Sequence, residues 1–224
     1  MIKLCIFDLD GTVLDTVHTI AYYGNYALAK HGIAPIEDKE YNYFAGNGAV
    51  NLIKRALRFR NCLSDETFEK VFADYNAAYN ANTSYLTAPF AGIPETLDAI
   101  KAQGIKMAIL SNKPHFATCG VIDSLFGPGY FDSVYGQREG VPIKPDPGAV
   151  YGLLAEHNVK PEECLYIGDT GTDMKTGKNA GLYTVGVLWG FRGKEELLEN
   201  GADVIIEKPQ QLLDCMNARK ADIL

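Results

Sequence analysis

The sequence predicts an α/β fold, a doubly wound, Rossmann-like parallel sheet core carrying an inserted all-helical domain. Three observations lead there. Short, nearly unbroken apolar runs recur at residues 2–7, 106–110, 165–167, 183–187 and 203–206, as strands buried on both faces require. Helical patterns with proline near the start or glycine past the end lie between the later runs. From Thr16 to about Tyr85 the strand pattern is absent, and helical periodicity replaces it. With about 150 residues to a typical domain, a chain of 224 has room for one large domain and an insert.

The first run ends abruptly in Asp8-Leu9-Asp10-Gly11-Thr12. In the insert, Val17, Ile20, Gly24, Ala27 and Leu28 share one helical face, closed by Gly32. Ala49, Leu52, Ile53, Ala56 and Leu57 form a second face, and Phe68, Val71, Phe72, Tyr75 and Tyr79 a third, after an N-cap at Ser64. The chain returns through Thr87-Ala88-Pro89-Phe90-Ala91-Gly92. The expected division is therefore a core of residues 1–15 and 86–224 and an insert of residues 16–85, with hinges at residues 15–17 and 87–92. Within the core, helices follow Pro94, Pro114 and Pro147, and another ends at Gly181. This alternation implies right-handed βαβ units.

Lys and Arg number 21 against 28 Asp and Glu, a net charge of −7. Such a chain is a poor partner for a polyanion, so no nucleic acid is expected. The five cysteines, Cys5, Cys62, Cys119, Cys164 and Cys215, are odd in number and scattered. They read as free thiols of a reducing compartment, not as a disulfide frame or zinc site. Asp8 and Asp10 interrupt the N-terminal apolar run too early for a signal peptide. No run approaches the ~18 residues of a membrane span. A cytoplasmic protein with no membrane partner, monomeric or homodimeric, is the expectation.

Ligands of open parallel sheets bind beyond the carboxyl ends of the strands. Asp8 and Asp10 follow the first strand, Ser111-Asn112-Lys113 the second, and Gly168-Asp169 with Asp173 the run at 165–167; Lys144 precedes a helix. Any one of these is an ordinary turn, cap or solvated loop residue taken alone. Four of them at strand ends, in order along one chain, point to a site. Crowded carboxylates repel by roughly 4 kcal/mol per pair at ~4 Å and an effective dielectric near 20, so they require a cation. Oxygen donors without His or Cys select a hard ion, Mg²⁺ above others. Such an ion beside a lysine and a serine suits a phosphoryl group.

The run Asp8-Leu9-Asp10-Gly11-Thr12-Val13-Leu14-Asp15-Thr16 resembles the first motif of the haloacid dehalogenase superfamily of phosphohydrolases. Ser111, Lys144 and Gly168-Asp169 with Asp173 are similar to its second, third and fourth motifs, in order, and the insert resembles its type-1 cap. Within the superfamily the chain is most similar to phosphoglycolate phosphatases, through Ala45-Gly46-Asn47-Gly48-Ala49, Pro89-Phe90-Ala91-Gly92-Ile93 and Ser111-Asn112-Lys113. The resemblance implies a Mg²⁺-dependent phosphomonoester hydrolase of a small phosphorylated metabolite. Asp8 is then the nucleophile that forms an aspartyl-phosphate, and Asp10 the general acid and base. Ser111, Asn112 and Lys144 bind the phosphoryl group. Asp8, the Asp10 carbonyl and Asp169 hold the metal, and Asp173 binds a metal water or orients the site. An acid at position 10 favours ester hydrolysis over dehalogenation, because a departing halide needs no proton. A phosphosugar phosphatase, a pyrophosphatase, a β-phosphoglucomutase-like enzyme and a non-enzymatic binder of phosphorylated ligands are the alternatives.

Readings of the insert stay open. Gly46-Asn47-Gly48 is a tight turn, or a loop that dips into the site to touch the non-phosphate end of the substrate. Arg55, with Lys54 and Arg58, is part of a solvated basic face, or alone the partner of a substrate carboxylate. The insert's many tyrosines are expected to pack its core, and Trp189 to line the entrance.

Overall fold

A computed structural model describes residues 1–221; residues 222–224, the end of the expected core, lie outside the described residues. The strands are β1 (Leu4–Phe7), β2 (Leu14–Asp15), β3 (Ala88–Pro89), β4 (Lys106–Pro114), β5 (Ser133–Gln137), β6 (Cys164–Gly168), β7 (Tyr183–Val187) and β8 (Val204–Ile206). The helices are α1 (Val17–Lys30), α2 (Asp38–Phe44), α3 (Gly48–Phe59), α4 (Asp65–Ala81), α5 (Ile93–Ala102), α6 (His115–Phe126), α7 (Gly148–His157), α8 (Gly171–Asn179), α9 (Lys194–Glu199) and α10 (Gln211–Ala221). Six strands form one sheet in the order β5-β4-β1-β6-β7-β8, every neighbouring pair parallel. This is the α/β class expected.

Alternation within β1 builds the two cores. Cys5 and Phe7 pack on one face with Leu97 and Ile100 of α5, Val121 of α6 and Leu212 of α10. Leu4 and Ile6 pack on the other with Val150 and Leu153 of α7 and with Tyr166 of β6. Successive strand residues point to opposite faces, so a run apolar at every position is what a sheet covered on both sides needs.

Two strand details differ from expectation. β5 was not foreseen: Ser-Val-Tyr-Gly-Gln lies at the sheet edge, half-buried, and carries no continuous apolar run. β4 runs past Leu110 to Pro114 through an irregular register against β5, so Ser111 and Lys113 lie on the strand and not after it.

Helices α1–α4 enclose their own apolar cluster, with Tyr41, Ile53 and Leu57 fully buried. The N-cap at Ser64 is as expected, its hydroxyl accepting from the Thr67 N–H at 3.1 Å. α2 was not expected, being seven residues of mostly polar sequence. Tertiary contacts hold it: Asn25 of α1 donates to the Ile36 carbonyl and accepts from its N–H, both at 2.8 Å, and accepts from the Tyr41 hydroxyl at 3.1 Å. Where the chain enters and leaves the insert, β2 and β3 pair antiparallel, and the Thr19 hydroxyl donates to the Tyr85 carbonyl at 2.6 Å. No helix among the described residues is long and apolar enough to cross a membrane.

Asn25→Ala strands the buried Ile36 peptide groups and the Tyr41 hydroxyl. Stability is expected to fall by about 2–3 kcal/mol, read as a lowered denaturation midpoint; an unchanged midpoint would show that this latch contributes nothing.

Candidate active site

The sheet register brings the motifs together. Phe7 pairs with Ile109 on one side and Ile167 on the other, so the residues that follow each of the three, on β4 still within the strand, lie at one height. The Asp8 N–H donates to the Ile167 carbonyl at 2.9 Å. The turn that follows needs glycine at position 11, where φ is +87° and a Cβ would stand 2.3 Å from an Asp169 carboxylate oxygen. Asp169 accepts from the Thr12 hydroxyl at 3.0 Å and the Phe191 N–H at 2.8 Å. Asp173 sits in the capping box of α8, accepting from the Thr170 N–H and hydroxyl at 3.1 and 2.6 Å. Its other oxygen takes the Lys144 ammonium at 2.7 Å, and the same ammonium donates to Asp8 Oδ1 at 2.7 Å. Lys144 is 4 % exposed, which removes the solvated-loop reading of that residue.

Asp8, Asp169 and Asp173 each offer a carboxylate oxygen, all within 4.8 Å of one another and all buried. Burial, then the charge of Asp173, raises Asp8 to about 7, against the pull of Lys144. Burial and the charges of Asp173 and Asp8 push Asp169 well above the carboxylate range. Burial works against the charge of Lys144 as well, but Asp173 and Asp8 outweigh it and keep it an ammonium. One lysine therefore faces three buried carboxylates, and the all-oxygen cluster fits a hard divalent cation that would hold them ionised.

Several expected residues are placed differently. The Asp10 carboxylate is not in that cluster: it turns to Lys113, with both oxygens on the ammonium at 2.6 and 2.9 Å. Burial opposes the charge on Lys113, and Asp10 more than restores it, leaving its pKa raised. Ser111 lines the cavity, and its hydroxyl also accepts from the Lys113 N–H at 3.1 Å. Asn112 is a correction. Its amide donates to the Lys144 and Gly46 carbonyls, both at 3.2 Å, and its oxygen accepts from the Lys144 N–H at 2.9 Å. Both amide hydrogens have acceptors, so Asn112 fastens the lysine loop and the insert to β4 and has no donor left for phosphate.

The loop at 46–48 does reach the core, with Gly46 and Gly48 at the cavity wall and Asn47 donating to the Thr172 hydroxyl at 2.9 Å. Arg55 is a second correction: it is half-buried and does not border the cavity. Its guanidinium donates to the Phe44 carbonyl at 2.9 Å and the Asn47 side chain at 2.7 Å, bracing that loop. Trp189 is half-buried, and its indole N–H donates to the Thr12 carbonyl at 2.9 Å.

The cavity between core and insert has a volume of about 60 Å³. Asp8, Asp10, Ser111 and Lys113 border it from the core, and Tyr75 and Tyr79 from α4. The two tyrosines were assigned to packing alone, and Lys113 had no role. Spacing carried the missing signal. Ser111 and Lys113 alternate onto one side of β4, and Tyr75 and Tyr79 lie one turn apart on α4.

A parallel sheet with an aspartate-lined cleft at its switch point defines a class, and the family comparison agrees with it. The chain belongs to the haloacid dehalogenase-like hydrolase family, whose model matches residues 5–187. Among individual relatives, it is 30 % identical to a phosphoglycolate phosphatase of Vibrio parahaemolyticus over 95 % of each chain. It is 30 % identical to another of Aquifex aeolicus, over 96 % of this chain and 97 % of the other. It superposes with a TM-score of 0.90 on a candidate phosphoglycolate phosphatase of Lactobacillus delbrueckii, at 29 % identity, covering 96 % of this chain and 98 % of that one.

The raised carboxyls have a consequence for stability. Because Asp8 is protonated more readily in the fold, at about 7 against 3.8, the folded state binds more protons than the unfolded between those values. Metal-free protein is expected to lose stability as pH rises through that window. A divalent cation should raise the melting temperature strongly at pH 7.5 and weakly at pH 5; equal gains at both would contradict the account.

Proposed function

We propose that this hydrolase is a Mg²⁺-dependent phosphomonoester phosphatase of a small metabolite, with phosphoglycolate as the first candidate substrate. One observation carries the reading: the buried Asp8 carboxylate is held at 2.7 Å by Lys144 and opens, with Asp10, on the cavity beneath the insert. The names of the relatives favour the same substrate. Asp8, Asp169 and the Asp10 carbonyl would hold Mg²⁺, with Asp173 positioning Lys144. The ion would supply charge stabilisation to the phosphoryl oxygens.

In the first step an Asp8 oxygen forms a bond to phosphorus as the ester P–O bond breaks, and the departing oxygen takes a proton from Asp10. In the second, Asp10 takes a proton from water as that oxygen bonds to phosphorus and the Asp8–phosphorus bond breaks. Lys144 and the Ser111 hydroxyl meet the phosphoryl oxygens, with charge set in place before the reaction. The five free thiols favour a reducing compartment, and we place the enzyme in the cytoplasm.

Phosphate release from a panel of phosphomonoesters with Mg²⁺ tests the reading. Asp8→Asn is expected to lower kcat by on the order of 10³ or more while the fold persists. Asp10→Asn should slow alkyl esters far more than p-nitrophenyl phosphate, whose leaving group needs no proton. Wild-type protein that binds phosphoesters but releases phosphate from none would return the chain to the binding-protein alternative.

A further inference from the structure

With Arg55 committed to its loop, the basic group expected for a substrate carboxylate is absent from the cavity, yet the cavity holds a buried cation. Among the described residues that line it, Lys113 is the one with a positive charge. Its side chain is 6 % exposed. The ammonium has three donors, of which the two Asp10 oxygens take two. It stands 5.1 Å from the centre of the Tyr79 ring. The Tyr79 hydroxyl is buried, makes no hydrogen bond of ordinary geometry among the described residues, and interacts electrostatically with the Lys113 ammonium. A buried hydroxyl without a well-formed hydrogen bond costs free energy, and here it belongs to the wall of a cavity beside a charge with a donor to spare.

We propose that Lys113 and Tyr79 form the subsite that selects a carboxylate on the leaving-group side of a short phosphomonoester. The inference rests on the hydrolase reading above. Position supports it. Lys144 serves the phosphoryl end through Asp8, whereas Lys113 lies on Asp10, the residue that serves the departing oxygen. Shape supports it too. Asp10 lays a carboxylate edge on the Lys113 ammonium, and a second carboxylate can share that ammonium through its third donor while accepting from Tyr79. A neutral polyol would offer that third donor no charged acceptor. A second phosphoryl group would bring about two negative charges beside Asp10, against one for a carboxylate.

The test is a ratio: kcat/KM for 2-phosphoglycolate over kcat/KM for ethyl phosphate, both with Mg²⁺. Charge-assisted bonds of this kind predict a wild-type ratio of about 100. Lys113→Met is expected to reduce the ratio roughly 30-fold or more, chiefly through KM for 2-phosphoglycolate, and Lys113→Arg to restore part of it. Tyr79→Phe, which keeps the ring, should reduce it about 5- to 10-fold, and it carries the test if Lys113→Met does not fold. If Lys113 serves only to position Asp10, both substrates fall together and the ratio holds, which overturns the proposal. A wild-type ratio near one also overturns it and leaves the hydrolase intact. Failure to hydrolyse any ester removes both.

Discussion

The ammonium of Lys144, set between Asp8 and Asp173 at 2.7 Å from each, is the interaction on which the rest of the site depends. Three carboxylates buried within 4.8 Å cannot all ionise against one lysine. The fold tolerates the arrangement because each oxygen that faces protein is answered: Thr12 and Phe191 on Asp169, Thr170 on Asp173. What remains unbalanced is negative charge, and that imbalance is useful. It creates a place for a hard cation, and the cation would return Asp8 to the anionic form a nucleophile needs.

The sheet makes this possible by register. β1 is the middle strand, and the chain crosses from β1 to β4 on one side before returning to β6 on the other. Residues separated by more than a hundred positions therefore meet at the switch point. The glycine at position 11 lets the first loop close over Asp169, and the Gly190 backbone packs beneath it, where a Cβ would come within 2.3 Å of the Gly11 carbonyl. The loop after β7 is thus part of the site floor, although none of its side chains is expected to touch substrate.

Much of this was legible in the sequence, because the loops that form the cleft obey a local rule. Fully apolar strands end in Asp8 and Gly168, and strand ends are where parallel sheets place their sites. β5 was illegible because an edge strand needs no apolar run. α2 was illegible because its stability comes from Asn25 and Tyr41, partners set by tertiary contact and not by periodicity. Asn112 and Arg55 were misread for a shared reason. Chemistry can be inferred from residue type, but a side chain's partners cannot: Asn112 donates to carbonyls of distant segments, and Arg55 to the loop that precedes its own helix.

Those two misreadings show how the insert can control the reaction without supplying a charged group to it. Arg55 braces the 45–47 loop from within the insert, while Asn112 and Thr172 grip the same loop from the core. Asn112 also holds both peptide groups of Lys144. The seating of the insert and the placement of the buried lysine are therefore linked through one carboxamide. The bonds that make this link are 2.9–3.2 Å long. A cap built from tyrosines, asparagines and glycines suffices for this, because its contribution is position and exclusion of water while the charge stays in the core.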